Sequence, residues 1–390
     1  MKLQLLDFVM IGLYLGFTVF IGIFMKKRAE KDKSSYLLGG KKLPWYLLGL
    51  SNASGMFDIS GTMWLVTIGF VYGLKSIWLP WLWPVFNQIF LMVYLSIWLR
   101  RSNVTTGAEW IGTRFGSGEG ARMSHNVVVI FALLGCLGFL AYGFIGLGKF
   151  IMIFMPENWN MALEAAVGAT FVPHVYGVIF TFFAVLYAIL GGMSSIVWAD
   201  LVQYSIMTIS AIVIAAIAMI KLGNIDITTL VPEGWTNPFF GRRLDLDWSG
   251  ILPEVNRKIA EDGYQLFSLV FWMMVMKGIL ISAAGPAPNY DMQKILATRS
   301  PKDAAKMSGF VSVVLMPSRY LMIAGFAVLG LLFYDKLDLM IGQRMDFEQI
   351  LPSAIHQFVP VGLLGLLLAG LLAAFMSTFA GTLNAAQAYI

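Results

Sequence analysis

The chain has 390 residues, of which 58% are hydrophobic and 13% charged, with a net charge of +5. Soluble domains carry about 45–50% apolar and roughly 25% charged residues. A mean hydropathy of +0.75 therefore excludes a water-soluble enzyme and points to a multispanning membrane protein. One cysteine, Cys136, excludes a disulfide scaffold or a thiolate metal cluster, and three histidines leave little room for a His-ligated metal. The basic residues lie in short loops between apolar runs. They read as topology signals and do not imply nucleic acid.

A bilayer core requires about 20 apolar residues per helix. On that scale the chain divides into nine predicted spans: 5–25, 45–70, 77–99, 125–155, 169–190, 193–221, 264–286, 308–333 and 359–388. Together they make a single transmembrane domain over 1–390. The first is not a signal peptide, because the basic cluster Lys26-Lys27-Arg28 follows the apolar run instead of preceding it. The loops after spans one, three and seven are rich in Lys and Arg, while 71–76 holds only Lys75 and 156–165 holds none. Alternation places these basic loops in the cytoplasm and the N-terminus outside.

Polar groups at membrane depth mark functional candidates. The second span opens Ser51-Asn52-Ala53-Ser54-Gly55-Met56-Phe57-Asp58-Ile59-Ser60-Gly61-Thr62. This stretch is too polar and glycine-rich for a lipid-facing helix. It predicts a locally unwound helix whose freed carbonyls, with Asp58, suit a hard cation. The other reading is close helix packing through small residues.

Trp78, Trp81 and Trp83, with Pro80 and Pro84, open the third span. They suit an interfacial aromatic belt or a gate over a solute. Asn87 and Gln88 follow as candidate hydrogen-bonding partners for a solute.

Span six begins at Gly191-Gly192-Met193-Ser194-Ser195 and carries Asp200 about two turns in. This acid either attracts a cation on the inner side or is a hydrogen-bonded acid near a helix start. Lys277 and Arg319 fall inside later spans. They are candidates to neutralise Asp58 or Asp200, or to bind an anionic solute, with ion pairs inside the helical bundle as the other reading.

The last span contains Ala373-Ala374-Phe375-Met376-Ser377-Thr378. Helical side chains point back toward the N-terminus, which sets both hydroxyls near the Ala374 carbonyl. That arrangement supplies half an oxygen shell for Na⁺ or, alternatively, ordinary hydroxyl-to-carbonyl bonding within the helix.

Several segments together resemble the sodium:solute symporter family. They are Gly191-Gly192-Met193-Ser194-Ser195 with Trp198-Ala199-Asp200 and Gln203; Tyr36 to Trp45; Thr106 to Gly116; Gln293 to Ser300; and Ala373 to Thr378 with Leu383-Asn384. The resemblance runs from about residue 36 to 384 in the family's order.

It implies an all-α integral membrane fold of the LeuT type, with two inverted five-helix repeats after one extra N-terminal helix. Because the sequence ends at Ile390, the second repeat is expected to be incomplete. The resemblance further implies Na⁺ held by the backbone oxygens of Met56, Ile59 and Ala374 and the hydroxyls of Ser377 and Thr378. Asp58 would lie near the ion and Asp200 on its inner path.

The expected function is Na⁺-coupled symport of a small organic solute by alternating access in a cell membrane. A nutrient sensor built on a symporter module and a proton-coupled carrier are the alternatives. An integral membrane enzyme would want clustered His, Glu or Asp at one membrane face, and the sequence offers no such constellation.

Overall fold

Backbone polar groups in hydrocarbon must be bonded within the chain, so helices dominate membrane-spanning folds. The protein, represented by a computed structural model, is described over residues 3–57, 59–284, 290–341 and 344–390. Apart from a hairpin pairing Met340–Ile341 with Arg344–Met345, its regular structure among these residues is helical.

The principal helices are α1 (Leu5–Ala29), α2 (Trp45–Gly55), α3 (Ile59–Tyr72) and α4, built from Trp78–Phe90, Leu91–Leu95 and Ser96–Ser102. They continue with α5 (Glu119–Phe154), α6 (Val172–Leu222), α7 (Pro253–Asp262), α8 (Phe267–Ala284), α9 (Tyr290–Leu296), α10 (Pro301–Phe333) and α11 (Leu363–Tyr389). Among the described residues, five helices are long and apolar enough to cross a membrane by themselves. The pair α7–α8, bent by 44°, adds a sixth by length and composition.

The expected stretches 45–70 and 77–99 are each assembled from pieces, for identifiable reasons. The helical hydrogen bonding of the first stops at Met56 and Phe57, inside the Ser- and Gly-rich run, and resumes at Ile59. The second contains a π-helical turn at Leu91–Leu95, where one extra residue is accommodated without ending the helix. In contrast, 169–190 and 193–221 run together as α6. They are divided by Gly192 at φ 54° and ψ −150°. A Cβ at Gly192 would stand 2.4 Å from the Tyr36 carbonyl oxygen, so only glycine fits both the conformation and the contact.

The core is centred on α6, which packs against α1, α10, α11, α5 and α2. Helix α11 is buried along most of its length, from Leu364 to Tyr389. The opposite end of the broken helix is clamped by the long segment after α6. The indoles of Trp235 and Trp248 donate to the carbonyls of Phe70 (2.8 Å) and Val71 (3.2 Å) in the last turn of α3. These two carbonyls have no intrahelical donor to meet, and the indoles satisfy them.

Asp7, in the first turn of α1, is fully buried. Its carboxylate accepts from the backbone amides of Gly362 (2.8 Å) and Gly365 (2.7 Å) at the start of α11, and from that of Gln4 (3.0 Å). An anion at a helix N-terminus neutralises the unbonded amides and the positive end of the dipole. Charged hydrogen bonds of this kind contribute about 1.5–3 kcal/mol. Asp7→Ala is therefore expected to lower unfolding stability by about 3 kcal/mol, measured by thermal unfolding in detergent. An unchanged midpoint would remove Asp7 from the account of how α11 is seated.

Candidate functional site

The interruption between α2 and α3 leaves backbone oxygens that helical bonding does not consume. One of them, the Gly55 carbonyl, accepts from the Thr378 hydroxyl at 2.8 Å. The same hydroxyl lies 2.9 Å from the Ala374 carbonyl one turn earlier on α11. Thr378 thus ties the broken helix to α11 across 323 residues of sequence.

Ile59, at the start of α3, lines a cleft with Thr378, Phe375 and Phe379 of α11 and with Phe139, Tyr142 and Gly143 of α5. Three elements therefore converge where carbonyls and a hydroxyl are concentrated and aromatic faces flank them. Hydroxyl and carbonyl oxygens are hard, neutral donors suited to Na⁺.

Ser377 is 2% exposed, and its hydroxyl makes no hydrogen bond of ordinary geometry. It faces the carboxylate of Asp200. Asp200 is fully buried and accepts from the Ser51 hydroxyl of α2. Its counter-charge is Lys294 of α9, at 3.4 Å, and Lys294 also donates to the Ser51 carbonyl at 2.8 Å. Lys294 is 1% exposed. Asp291 of the same helix lies within electrostatic reach of Lys294 and bonds Asn52. Gln203 of α6 donates to the Ser54 carbonyl at 3.2 Å. Tyr187, also on α6, donates to the Met376 carbonyl at 3.1 Å. Two neighbouring sets of oxygens thus meet on α2 and α11, one around Thr378 and one around Asp200, with Ser377 between them.

Of the residues singled out in the sequence, Ile59, Ala374, Ser377, Thr378 and Asp200 are brought together here, with Met56 at the break. Asp58 lies outside the described residues, as do the side chains of Trp81, Trp83, Pro80 and Pro84. Trp78 bonds the Pro238 carbonyl at 2.7 Å, so it holds the long segment after α6. Asn87 and Gln88 are buried on α4, with the Asn87 Oδ1 and both polar atoms of Gln88 unbonded. Lys277 sits on an exposed face of α8 among Trp272, Met273 and Met276, apart from the broken helix. Arg319 is half-buried on α10 beside Tyr320, also outside the cluster.

Two participants are not apparent from sequence reasoning. The Gly55 carbonyl is reached by Thr378 one residue before the expected Met56. Lys294 reads as a loop charge, and only its place in the segment Gln293 to Ser300 sets it apart.

Known proteins resemble this chain in sequence and in fold. The model of the sodium:solute symporter family matches residues 36–390. A sodium/glucose cotransporter from Vibrio parahaemolyticus is 23% identical over 409 residues, covering 98% of this chain and 67% of the relative. Sodium/glucose cotransporter 4 from Danio rerio is 22% identical, with 99% of this chain and 57% of the relative covered. A sodium/myo-inositol cotransporter from Mus musculus is 23% identical, with 99% and 53% covered. This chain thus spans from about half to two thirds of the length of these relatives.

In fold, the chain is similar to the substrate-bound outward-open state of a Na⁺-coupled sialic acid symporter. The TM-score is 0.69 at 16% identity, over 99% of this chain and 74% of that one. This likeness gives the all-helical, LeuT-like architecture. The match over nearly the whole chain, with apolar helices arranged around a broken one, makes this a multi-pass membrane protein that belongs to the sodium:solute symporter family.

Proposed function

We propose that this chain carries the Na⁺-binding core of a secondary transporter that couples Na⁺ to the symport of a small organic solute. The observation that carries the reading is Thr378, whose hydroxyl meets both the Gly55 carbonyl at the helix break and the Ala374 carbonyl. Na⁺ would take its oxygens from this junction, from the backbone at Met56 and Ile59, and from Ser377. None of these groups titrates near neutrality, which favours Na⁺ over a proton as the coupling ion. Substrate and ion sites of such transporters lie near the bilayer midplane, where discontinuous helices expose backbone.

The proposed orientation is N-terminus outside, with the basic loops in the cytoplasm of a plasma or inner membrane. All nine spans would form one domain. Asp200 and Lys294 then lie on the cytoplasmic side of the ion, and the Trp235–Trp248 clamp on the outer side. Coupling follows if Na⁺ binds the outward and inward states with different free energies.

Gln88 keeps unbonded polar atoms in the interior, an arrangement that costs about 1–3 kcal/mol unless something answers it. A cyclic polyol or sugar, the class named for the relatives, would answer these atoms with its hydroxyls.

The test is thermal unfolding of the purified chain in NaCl against KCl at equal ionic strength, with and without myo-inositol or glucose. A ligand that binds only the folded state adds RT ln(1 + [L]/Kd), about 1.4 kcal/mol at tenfold excess over Kd. A Na⁺-specific rise is expected, increased further by a polyol in NaCl alone. Equal midpoints in the two salts would remove the Na⁺ reading.

A further inference from the structure

We infer that the basic end of α1 is a binding site for an anionic phospholipid. Four cationic side chains, Lys27, Arg28, Lys31 and Lys42, line one groove of about 660 Å³. Three come from α1 and the residues just after it. The fourth arrives because Gly39, Gly40 and Lys41 all take positive φ and turn the chain back. All four are exposed, and among the described residues none is held in an ion pair. Lys26, by contrast, sits on the other flank and is paired with Glu30 at 3.6 Å.

One acid shares the groove. Asp32 accepts from the Ser35 amide at 2.7 Å and caps the short helix Lys33–Leu38. That amide holds its carboxyl below the usual range, so Asp32 stays charged. The groove still carries a net charge of about +3, and Ser34 and Ser35 add hydroxyls at its wall.

Charge alone would suit any phosphate. The adjoining surface selects a lipid. Phe24, 70% exposed, lines the same groove. It continues an apolar stripe up α1 through Phe20, Phe17 and Leu13, and the Phe20 and Phe24 rings stack at 6.2 Å. Helix α1 packs through its other side on α6 and α11, leaving this stripe to the bilayer. A headgroup phosphate in the groove therefore places its acyl chains along the stripe. Basic pockets at the cytoplasmic ends of membrane helices attract anionic headgroups in this way. The site does not depend on the transport reading; it depends only on α1 lying in a membrane.

The experiment is native mass spectrometry of the full chain offered equal amounts of phosphatidylglycerol and phosphatidylcholine. Wild type is expected to retain phosphatidylglycerol preferentially. Each basic residue near the surface contributes roughly a fivefold effect. The quadruple variant Lys27→Gln/Arg28→Gln/Lys31→Gln/Lys42→Gln should therefore lose at least tenfold in that preference. Arg242→Gln/Arg243→Gln, the same chemistry at the outer segment, should leave it intact.

Thermal unfolding in phosphatidylcholine checks that the variants fold. Lys31→Gln/Lys42→Gln serves if the quadruple variant does not fold, with an expected loss above tenfold. Equal retention of the two lipids by wild type, or undiminished preference in the charge variants, would overturn the inference. Displacement of phosphatidylglycerol by an equal concentration of inorganic phosphate would assign the groove to a soluble anion and overturn the lipid reading as well.

Discussion

The Ser377→Ala/Thr378→Ala chain is expected to lose the Na⁺-specific stabilisation that the wild type shows, while remaining folded in KCl. Thr378 supplies a hydroxyl that touches both the helix break and the Ala374 carbonyl of α11. Ser377 is buried beside it, facing the Asp200 carboxylate. An interaction between a charged group and a neutral hydrogen-bonding group contributes about 1.5–3 kcal/mol. Removing two oxygens from one Na⁺ should weaken binding by roughly a hundredfold or more. A site with a Kd of about 1 mM would then need about 100 mM Na⁺ or more for half-filling, so the response should vanish at low NaCl and shift to far higher concentrations.

The structural cost in KCl is smaller. Ser377 gives up its contact with the Asp200 carboxylate, which keeps Ser51 and Lys294, and Thr378 loses its bonds to two carbonyls that are neutral acceptors, about 1–2 kcal/mol together. Thr378→Ser keeps the hydroxyl and should keep the Na⁺ response. The readout is the unfolding midpoint as a function of NaCl at constant ionic strength. A double variant whose response matches the wild type would remove these two residues from the ion site.

Much of the architecture is legible in the sequence because the bilayer imposes it. A run of about 20 apolar residues has few alternatives to a helix. The breaks are legible for the same reason: Ser51 to Thr62 is too polar to face lipid, and the helix stops inside it, at Met56 and Phe57. The bond of Thr378 to the Ala374 carbonyl follows from helical geometry alone, whereas Ser377, expected at the same carbonyl, faces the Asp200 carboxylate instead.

What lies across the fold is not legible. Thr378 meets Gly55, one residue away from the carbonyls expected, because the exact residue at which a helix unwinds depends on packing. Asp7 reads as an acid in the first turn of its own helix, yet its amide partners at Gly362 and Gly365 belong to another helix, more than 350 residues along the chain. Lys277 and Arg319 stand out in the sequence as charges inside apolar runs; the structure places Lys277 on an exposed face of α8 and Arg319 beside Tyr320. The charge that is buried against Asp200, Lys294, reads in the sequence as a loop residue. Counting loop charges to orient a membrane protein takes no account of burial, and a short helix between two spans can fold inward.

Lys294→Met is expected to be among the most destabilising single substitutions in this protein. The ammonium lies 3.4 Å from Asp200, with the two side chains 1% and 0% exposed. A buried ion pair contributes little net stability, because desolvation offsets attraction, but deleting one partner leaves an uncompensated charge and costs about 3–5 kcal/mol. The Met side chain approximates the volume of Lys, so the loss measures the charge and the bond to the Ser51 carbonyl more than a cavity.

The double variant Asp200→Asn/Lys294→Met separates these contributions. With the Asp200 charge gone and only Asp291 left to lose its neighbouring cation, it should recover part of what the single variant loses, as read from thermal unfolding in the same detergent. The expected coupling between the two sites falls in the range of about 0.5–3 kcal/mol found for residues in direct contact. Additive losses, with no recovery, would mean that each residue is held by other groups. The pair joins α6, α9 and, through Ser51, α2. Because Ser377 faces the same carboxylate, a perturbation of Lys294 should also reach the Na⁺ response. The double variant is expected to fold with an altered Na⁺ midpoint, whereas Asp7→Ala, distant from this cluster, should change stability and leave that midpoint where it is.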